Sequence, residues 1–293
     1  MEIPVKKLKN GFEMPVLGLG TWMMGGAMER DQSNDDAADI QAIRNAIEAG
    51  ITHIDTAEKY AAGYSETLLG QAIKGHDRTR LFIASKVASD HAKYDDLIAS
   101  CKASLERIGT DYFDLYMMHS PSLEVPIRES MRAMNTLVEN GIIQHVGVSN
   151  FSVERLQEAQ SHSNYPIVAN QLHLNLIYRE PERRGILEYC QKNDVMLVAW
   201  RPVQKGELTG KGKYPILDEM CEKYDKTPAQ IAINWLISQP NVVTISKMRD
   251  PEHLEENLSA VGSTMEVDDI EQLRIGFPHQ ADVSDSIPLS KYD

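Results

Sequence analysis

The feature that most limits what this chain can fold into is a recurring design, a short apolar run that ends in one polar residue. Ile54-Asp55-Thr56-Ala57-Glu58-Lys59-Tyr60 carries it first, Leu81 to Ser85 delivers Lys86, and Tyr112 to Met118 delivers His119. Asp55 and Lys86 are 31 residues apart, and Lys86 and His119 are 33 apart. Each interval suits one strand and one helix of a parallel sheet. Consecutive strands of this kind end on one rim, the rim on which a (β/α)8 barrel carries its chemistry. The pattern therefore predicts an α/β fold, a (β/α)8 TIM barrel, with an aspartate, a lysine and a histidine brought together.

The same alternation runs along the whole chain. Strands are expected at Val16–Trp22, Ile51–Asp55, Leu81–Ser85, Tyr112–Met118, Gln144–Ser149, Ile167–Gln171, Val195–Trp200 and Val242–Ser246. Helices are expected between them: one from Asp35, with Ile40, Ile43 and Ile47 on one face, then 66–73, 95–108, 127–140, 153–159, 182–193, a split pair at 216–224 and 228–238, and 253–261. Asn10-Gly11 between short strand-like runs reads as a hairpin turn, so residues 5–16 form an N-terminal β-hairpin that plugs the barrel floor. One more helix near Val267–Leu273 adds to those near the C-terminus, and 277–293 is a polar, proline-containing tail. With no composition break, 1–293 reads as a single barrel domain.

Composition narrows the function classes. A net charge of -13 argues against nucleic acid and against anionic membrane as partners. There is no apolar run near the length of a membrane span and no secretory leader. Cys101, Cys190 and Cys221 are isolated, as free thiols of a cytoplasmic protein would be. No His/Cys/Asp/Glu group has metal-ligand spacing, so no metal is expected. His53, His145 and His173 read as satisfied core histidines, and an individual Asp55, Lys86 or Tyr60 would be unremarkable. As a set they are not.

A phenol is a poor acid at neutral pH, and a neighbouring ammonium lowers its pKa. Lys86 is placed to supply that charge to Tyr60, and Asp55 to keep a buried lysine protonated. Tyr60 follows Asp55 by five residues, enough chain to bend back over the rim. His119 would donate a hydrogen bond to a carbonyl oxygen as charge develops there.

At these residues the sequence resembles the aldo-keto reductase family over nearly its whole length. The matching segments include Gly18-Leu19-Gly20-Thr21-Trp22, His53-Ile54-Asp55-Thr56-Ala57 with Tyr60, Ser85-Lys86, Asp114-Leu115-Tyr116-Met117-Met118-His119, Gly147-Val148-Ser149-Asn150-Phe151, Asn170-Gln171 and Glu256-Asn257. Together, in order, they are highly specific. The resemblance implies a barrel that binds NADP(H) without a Rossmann domain and reduces aldehydes and ketones. It implies Tyr60 as general acid, Lys86 and Asp55 as the pair that tunes it, and His119 as the residue that orients the carbonyl.

It also assigns a coenzyme site. Ser149, Asn150 and Gln171 match positions that bond the carboxamide, Trp200 matches the stacking aromatic ring, and Thr21 lies at the same rim. Arg201, Gly206 and Leu208 fall in the phosphate-binding stretch, with Arg201 in place of a common serine and able to pair with a pyrophosphate oxygen. Lys247, Arg249, His253, Glu256 and Asn257 fall in the adenosine-phosphate segment. His253 stands where many members have arginine, so NADP(H) is favoured while NAD(H) or dual use stays open. Short rim loops imply an open pocket, with Trp22, Met23 and Tyr64 as walls, for a small aldehyde, ketone or sugar-like substrate. The expected state is a monomer or weak oligomer. A competing reading is a channel-associated regulatory subunit that keeps the fold and binds coenzyme with little turnover. A barrel lyase using Lys86 as a Schiff-base amine would leave Tyr60 and Trp200 unexplained.

Overall fold

The computed structural model describes residues 2–293. Eight strands close into a parallel barrel: β3 (Leu17–Gly20), β4 (His53–Asp55), β5 (Phe82–Val87), β6 (Phe113–Met118), β7 (Ile143–Ser149), β8 (Ile167–His173), β9 (Met196–Trp200) and β10 (Val242–Ser246), with β10 returning to β3. All eight expected strands are present, so the predicted (β/α)8 fold holds. Ahead of the barrel, β1 (Val5–Lys7) and β2 (Glu13–Pro15) pair antiparallel.

The hairpin closes the floor through its apolar face. Leu8, Phe12 and Met14 are buried in one cluster with Ala84, Leu115, Met117, Val168, Met196, Val198 and Val243, the inward-facing residues of the strands. The ring of Phe12 meets those of Phe82 and His145 edge-on, at 6.0 and 4.8 Å. The Asp194 carboxylate pins the turn by accepting from the backbone N–H groups of Lys9 and Asn10 at 2.7 and 2.8 Å. Inside the wall, Gly18 is required: a Cβ there would lie 2.3 Å from Nδ1 of His53.

A second, larger core lies between the barrel and its helices. These are α1 (Asp36–Glu48), α2 (Tyr64–Ala72), α3 (Tyr94–Ile108), α4 (Ile127–Glu139), α5 (Val153–Ser161), α6 (Glu180–Arg183), α7 (Ile186–Lys192), α8 (Pro215–Tyr224), α9 (Pro228–Ile237), α10 (Pro251–Leu258) and α11 (Val267–Gly276). Their ends follow local chemistry. Asp35 caps α1 by accepting from Ala38 N–H, and Gly109 ends α3 at φ 76°. Thr227 and Gln230 form a capping box on α9, with Pro228 in its first turn. The helix expected over 182–193 is broken in two, because Gly185 adopts φ 68° between α6 and α7. The tail is also more than a polar extension. It returns to pack on α6 through Arg183–Asp282 and Arg184–Asp293 ion pairs.

Candidate active site

The barrel register sets the cluster. Asp55 ends β4, Lys86 lies near the end of β5, and His119 follows β6 directly. Lys86 Nζ donates to Asp55 Oδ1 at 2.6 Å and to the Thr56 carbonyl at 2.8 Å, and lies 3.3 Å from the Tyr60 hydroxyl. Asp55, Tyr60 and Lys86 are all buried. The Tyr60 ring meets His119 edge-on at 5.6 Å and Trp22 at 5.0 Å. The four residues expected from the sequence therefore share one site.

Burial and charge compete at each of them. Burial alone would lower the Lys86 pKa, but the Asp55 carboxylate, with Tyr60, turns the balance and holds it above the ordinary lysine value. Lys86 is a cation. Burial raises the Tyr60 phenol, and Lys86 opposes that rise without cancelling it. The expected lowering of the tyrosine below its ordinary value is thus not found in this state, because desolvation outweighs one ammonium at 3.3 Å. His119 is lowered to about 3 by desolvation, then by Lys86 and Lys59. It is a neutral imidazole, able to donate from one nitrogen only.

Around this cluster the structure adds a link that the sequence did not reveal. Gln171 Nε2 donates to Asp55 Oδ2 at 2.8 Å, so both carboxylate oxygens are engaged. Ser149 Oγ donates to the Gln171 carbonyl at 2.9 Å, and Asn150 Nδ2 to the His119 carbonyl at 2.9 Å. Asn150 sits at φ 62°, a conformation asparagine tolerates. Its Oδ1 is buried without a partner among the described residues.

The turn after Tyr60 is strained. Ala61 and Ala62 hold φ 50° and 53°, fixed by N–H bonds to the carbonyls of Ala27 and Met28 at 2.7 and 2.8 Å. Behind it, buried Glu66 accepts from Ser85 Oγ and from Arg107 Nε, both at 2.7 Å. Glu66 thereby props the strand that carries Lys86.

Other expected positions differ in detail. Thr21 is fully enclosed and accepts from Ser65 Oγ at 2.9 Å, a bond that ties the end of β3 to α2. Leu208 is likewise enclosed in the core, with its N–H donated to the Val203 carbonyl at 3.2 Å. Tyr64 braces the loop after β3, its hydroxyl on Asp36 at 3.0 Å and the Arg30 guanidinium 4.0 Å above its ring. Met23 is exposed at φ 73°. His53 is not the satisfied histidine expected, because both its ring nitrogens are buried without partners among the described residues. Burial pushes it down to about 4 and keeps it neutral.

On the far side of the rim, Trp200 ends β9 with its ring stacked on His173 at 4.2 Å and 9°, and the Arg201 guanidinium stands 5.1 Å from its centroid. Gly206 closes the turn at φ 90°. Arg249 Nε pairs with buried Asp39 at 2.8 Å, while Lys247 and His253 are exposed. Asn257 Nδ2 donates to Ser246 Oγ at 3.1 Å, and Glu256 accepts from Thr227 Oγ1 at 2.6 Å. The partners of His173 escaped the sequence reading. Its Nε2 lies 3.0 Å from Gln204 Oε1, which only accepts, so Nδ1 must accept from the Ser284 hydroxyl at 2.8 Å.

A barrel with this rim can be set beside known proteins. The profile of the aldo/keto reductase family matches residues 16–275. The chain belongs to that family. Among solved structures, a thermostable aldo-keto reductase in complex with the inhibitor epalrestat superposes with a TM-score of 0.88 at 44% identity, covering 93% of this chain and 99% of that one. An aldo/keto reductase from Klebsiella pneumoniae in complex with NADP and acetate gives 0.82 at 30% identity, covering 95% and 96%. Methylglyoxal reductase of Escherichia coli is 32% identical over 271 residues, 90% of this chain and 92% of its own. Membership makes this aldo-keto reductase an oxidoreductase enzyme, in a family that acts on small carbonyl compounds.

Proposed function

We propose that this chain reduces small aldehydes and ketones with NADPH, using Tyr60 as the proton donor. The observation that carries the reading is Lys86 Nζ, fixed between the Asp55 carboxylate at 2.6 Å and the Tyr60 hydroxyl at 3.3 Å. The coenzyme fits the residues present: the unpartnered Asn150 Oδ1 suits a carboxamide N–H, and Arg201, Lys247 and Arg249 suit phosphate charge. The NADP-bound Klebsiella relative supports that choice over NADH. When bound, the nicotinamide supplies hydride to the carbonyl carbon.

The protein's own part is proton handling and electrostatics. The Tyr60 hydroxyl donates its proton to the carbonyl oxygen and becomes a phenolate beside Lys86. The ammonium matters most at that moment, because it stabilises an anion that burial disfavours. Asp55, held by Gln171, keeps Lys86 charged. Neutral His119 donates to the same carbonyl oxygen and fixes its direction, with no proton to lose to the medium near neutral pH. The E. coli relative's name points to 2-oxoaldehydes for the substrate panel, and the short segment between His119 and Ile127 supports an open site.

Tyr60→Phe tests this. Turnover on the best aldehyde should fall by about 10²- to 10⁴-fold, while NADPH still quenches tryptophan fluorescence with its original dissociation constant. Undiminished turnover would remove Tyr60 from the mechanism, and wild-type binding without turnover on any carbonyl would point to a binding subunit.

A further inference from the structure

The chain beyond α11 comes back to the coenzyme side of the rim and is held there. Buried Glu180 accepts from the backbone N–H of Ser284 at 2.9 Å and of Leu289 at 3.0 Å. Arg179 N–H donates to the Ala281 carbonyl at 2.9 Å, and Ala281 N–H to that of Ile177 at 2.7 Å. Ser284 is gripped a second time by His173. The residue that follows this fixed Ser284 is Asp285.

Its carboxylate reaches the turn after β9. The Asp285 carboxylate lies 3.2 Å from Gln204 Nε2, 3.4 Å from Arg201 Nη1 and 3.8 Å from Lys205 Nζ. The same three residues hold left-handed backbone, at φ 58° for Arg201, 45° for Gln204 and 54° for Lys205. Such conformations persist only where the surroundings over-determine them. The tail carboxylate is one of those surroundings.

We propose that Asp285 is a built-in anion that competes with the coenzyme diphosphate for Arg201, Lys205 and Gln204, so that the C-terminal tail sets how tightly the coenzyme is held. This rests on reading 200–208 as the phosphate-binding stretch. A carboxylate and a diphosphate seek the same charge-assisted donors, and two anions on one set repel each other. Occupation by the diphosphate turns Asp285 out, while the Glu180 clamp keeps the tail backbone in place. Gln204 is the pivot. Its Nε2 serves Asp285 and its Oε1 serves His173, the ring against which Trp200 is stacked.

The experiment is NADPH titration, followed by tryptophan fluorescence, of the full chain as wild type, Asp285→Asn, Arg201→Met and the double variant. Asparagine keeps the size and removes the charge. Asp285→Asn should tighten NADPH about two- to fivefold, and the gain should shrink in the Arg201→Met background. Unchanged or weaker binding in Asp285→Asn, with wild type still binding, overturns the role of Asp285 and spares the phosphate reading. An undiminished gain in the Arg201→Met background overturns the competition for that guanidinium. Wild type that binds neither NADPH nor NADH overturns both.

Discussion

At the ends of β4 and β5 the charged atoms find their partners within the barrel wall, Lys86 with Asp55 and Asp55 with Gln171. At the end of β9 they do not. The turn at 201–206 borrows a carboxylate from a tail 84 residues away from Arg201. The first side is sealed and its charges are fully committed; the second is partly exposed and its donors can change partners. A proton-transfer site gains from fixed charges that need no reorganisation. A site that admits and releases a large anionic coenzyme, as proposed for the turn after β9, gains from the opposite.

The largest test of that contrast removes one cation from each side. Lys86→Met leaves Asp55 charged and enclosed, so it should cost about 3–5 kcal/mol of stability and abolish turnover. Asp55→Asn combined with Lys86→Met should restore much of the stability and none of the activity. Arg201→Met removes a partner of a one-third exposed carboxylate and should cost no more than about 1 kcal/mol. Urea unfolding midpoints of the four proteins decide it. Equal losses on the two sides would erase the distinction.

A smaller effect follows from three histidines that burial keeps neutral. His53 and His173 are lowered to about 4 and His119 to about 3, from an ordinary 6.5. Below pH 6.5 the unfolded chain binds these protons and the folded one does not. Stability from this source is therefore complete above pH 6.5 and is lost as pH falls towards 4. Each histidine contributes a slope of about 1.4 kcal/mol per pH unit. Unfolding midpoints at pH 7, 6 and 5 should fall in that order. His173→Gln, on the β9 side, should lessen the slope, and a flat profile would mean that these rings are solvated.

The same contrast explains what could be read from sequence. Asp55, Lys86 and His119 each follow an apolar strand at a regular interval, so strand topology alone brings them together; Tyr60 came from its five-residue spacing to Asp55, and family resemblance supplied its role as general acid. Gln171 was recognised, yet its bond to Asp55 was not, since no local pattern reports which strand ends face each other across a barrel. Thr21 was placed at the rim by its position after the first strand, and its bond to Ser65 on α2 carried no sequence signal. Glu180, Ser284 and Asp285 carried no signal at all. Their partners lie 81 to 111 residues away, across a tail with neither helical nor strand periodicity to place it.

The smallest predicted effect concerns backbone strain, which both sides share. Ala62 is exposed and holds φ 53°, a conformation that costs a side chain roughly 1–2 kcal/mol. Glycine removes that cost but loses roughly 0.5–1 kcal/mol through the freedom of the unfolded chain. Ala62→Gly should therefore raise stability by about 0–1.5 kcal/mol, read as a slightly higher thermal midpoint. Its effect on turnover is the more telling result. Ala61 and Ala62 direct the chain away from Tyr60, and their N–H bonds to Ala27 and Met28 already fix that turn. If those bonds and the packing of Trp22 and His119 suffice to aim the phenol, turnover stays at the wild-type level. If turnover falls while stability rises, the left-handed pair is what holds Tyr60 over Lys86, and the sealed side of the rim uses strain as the turn after β9 does.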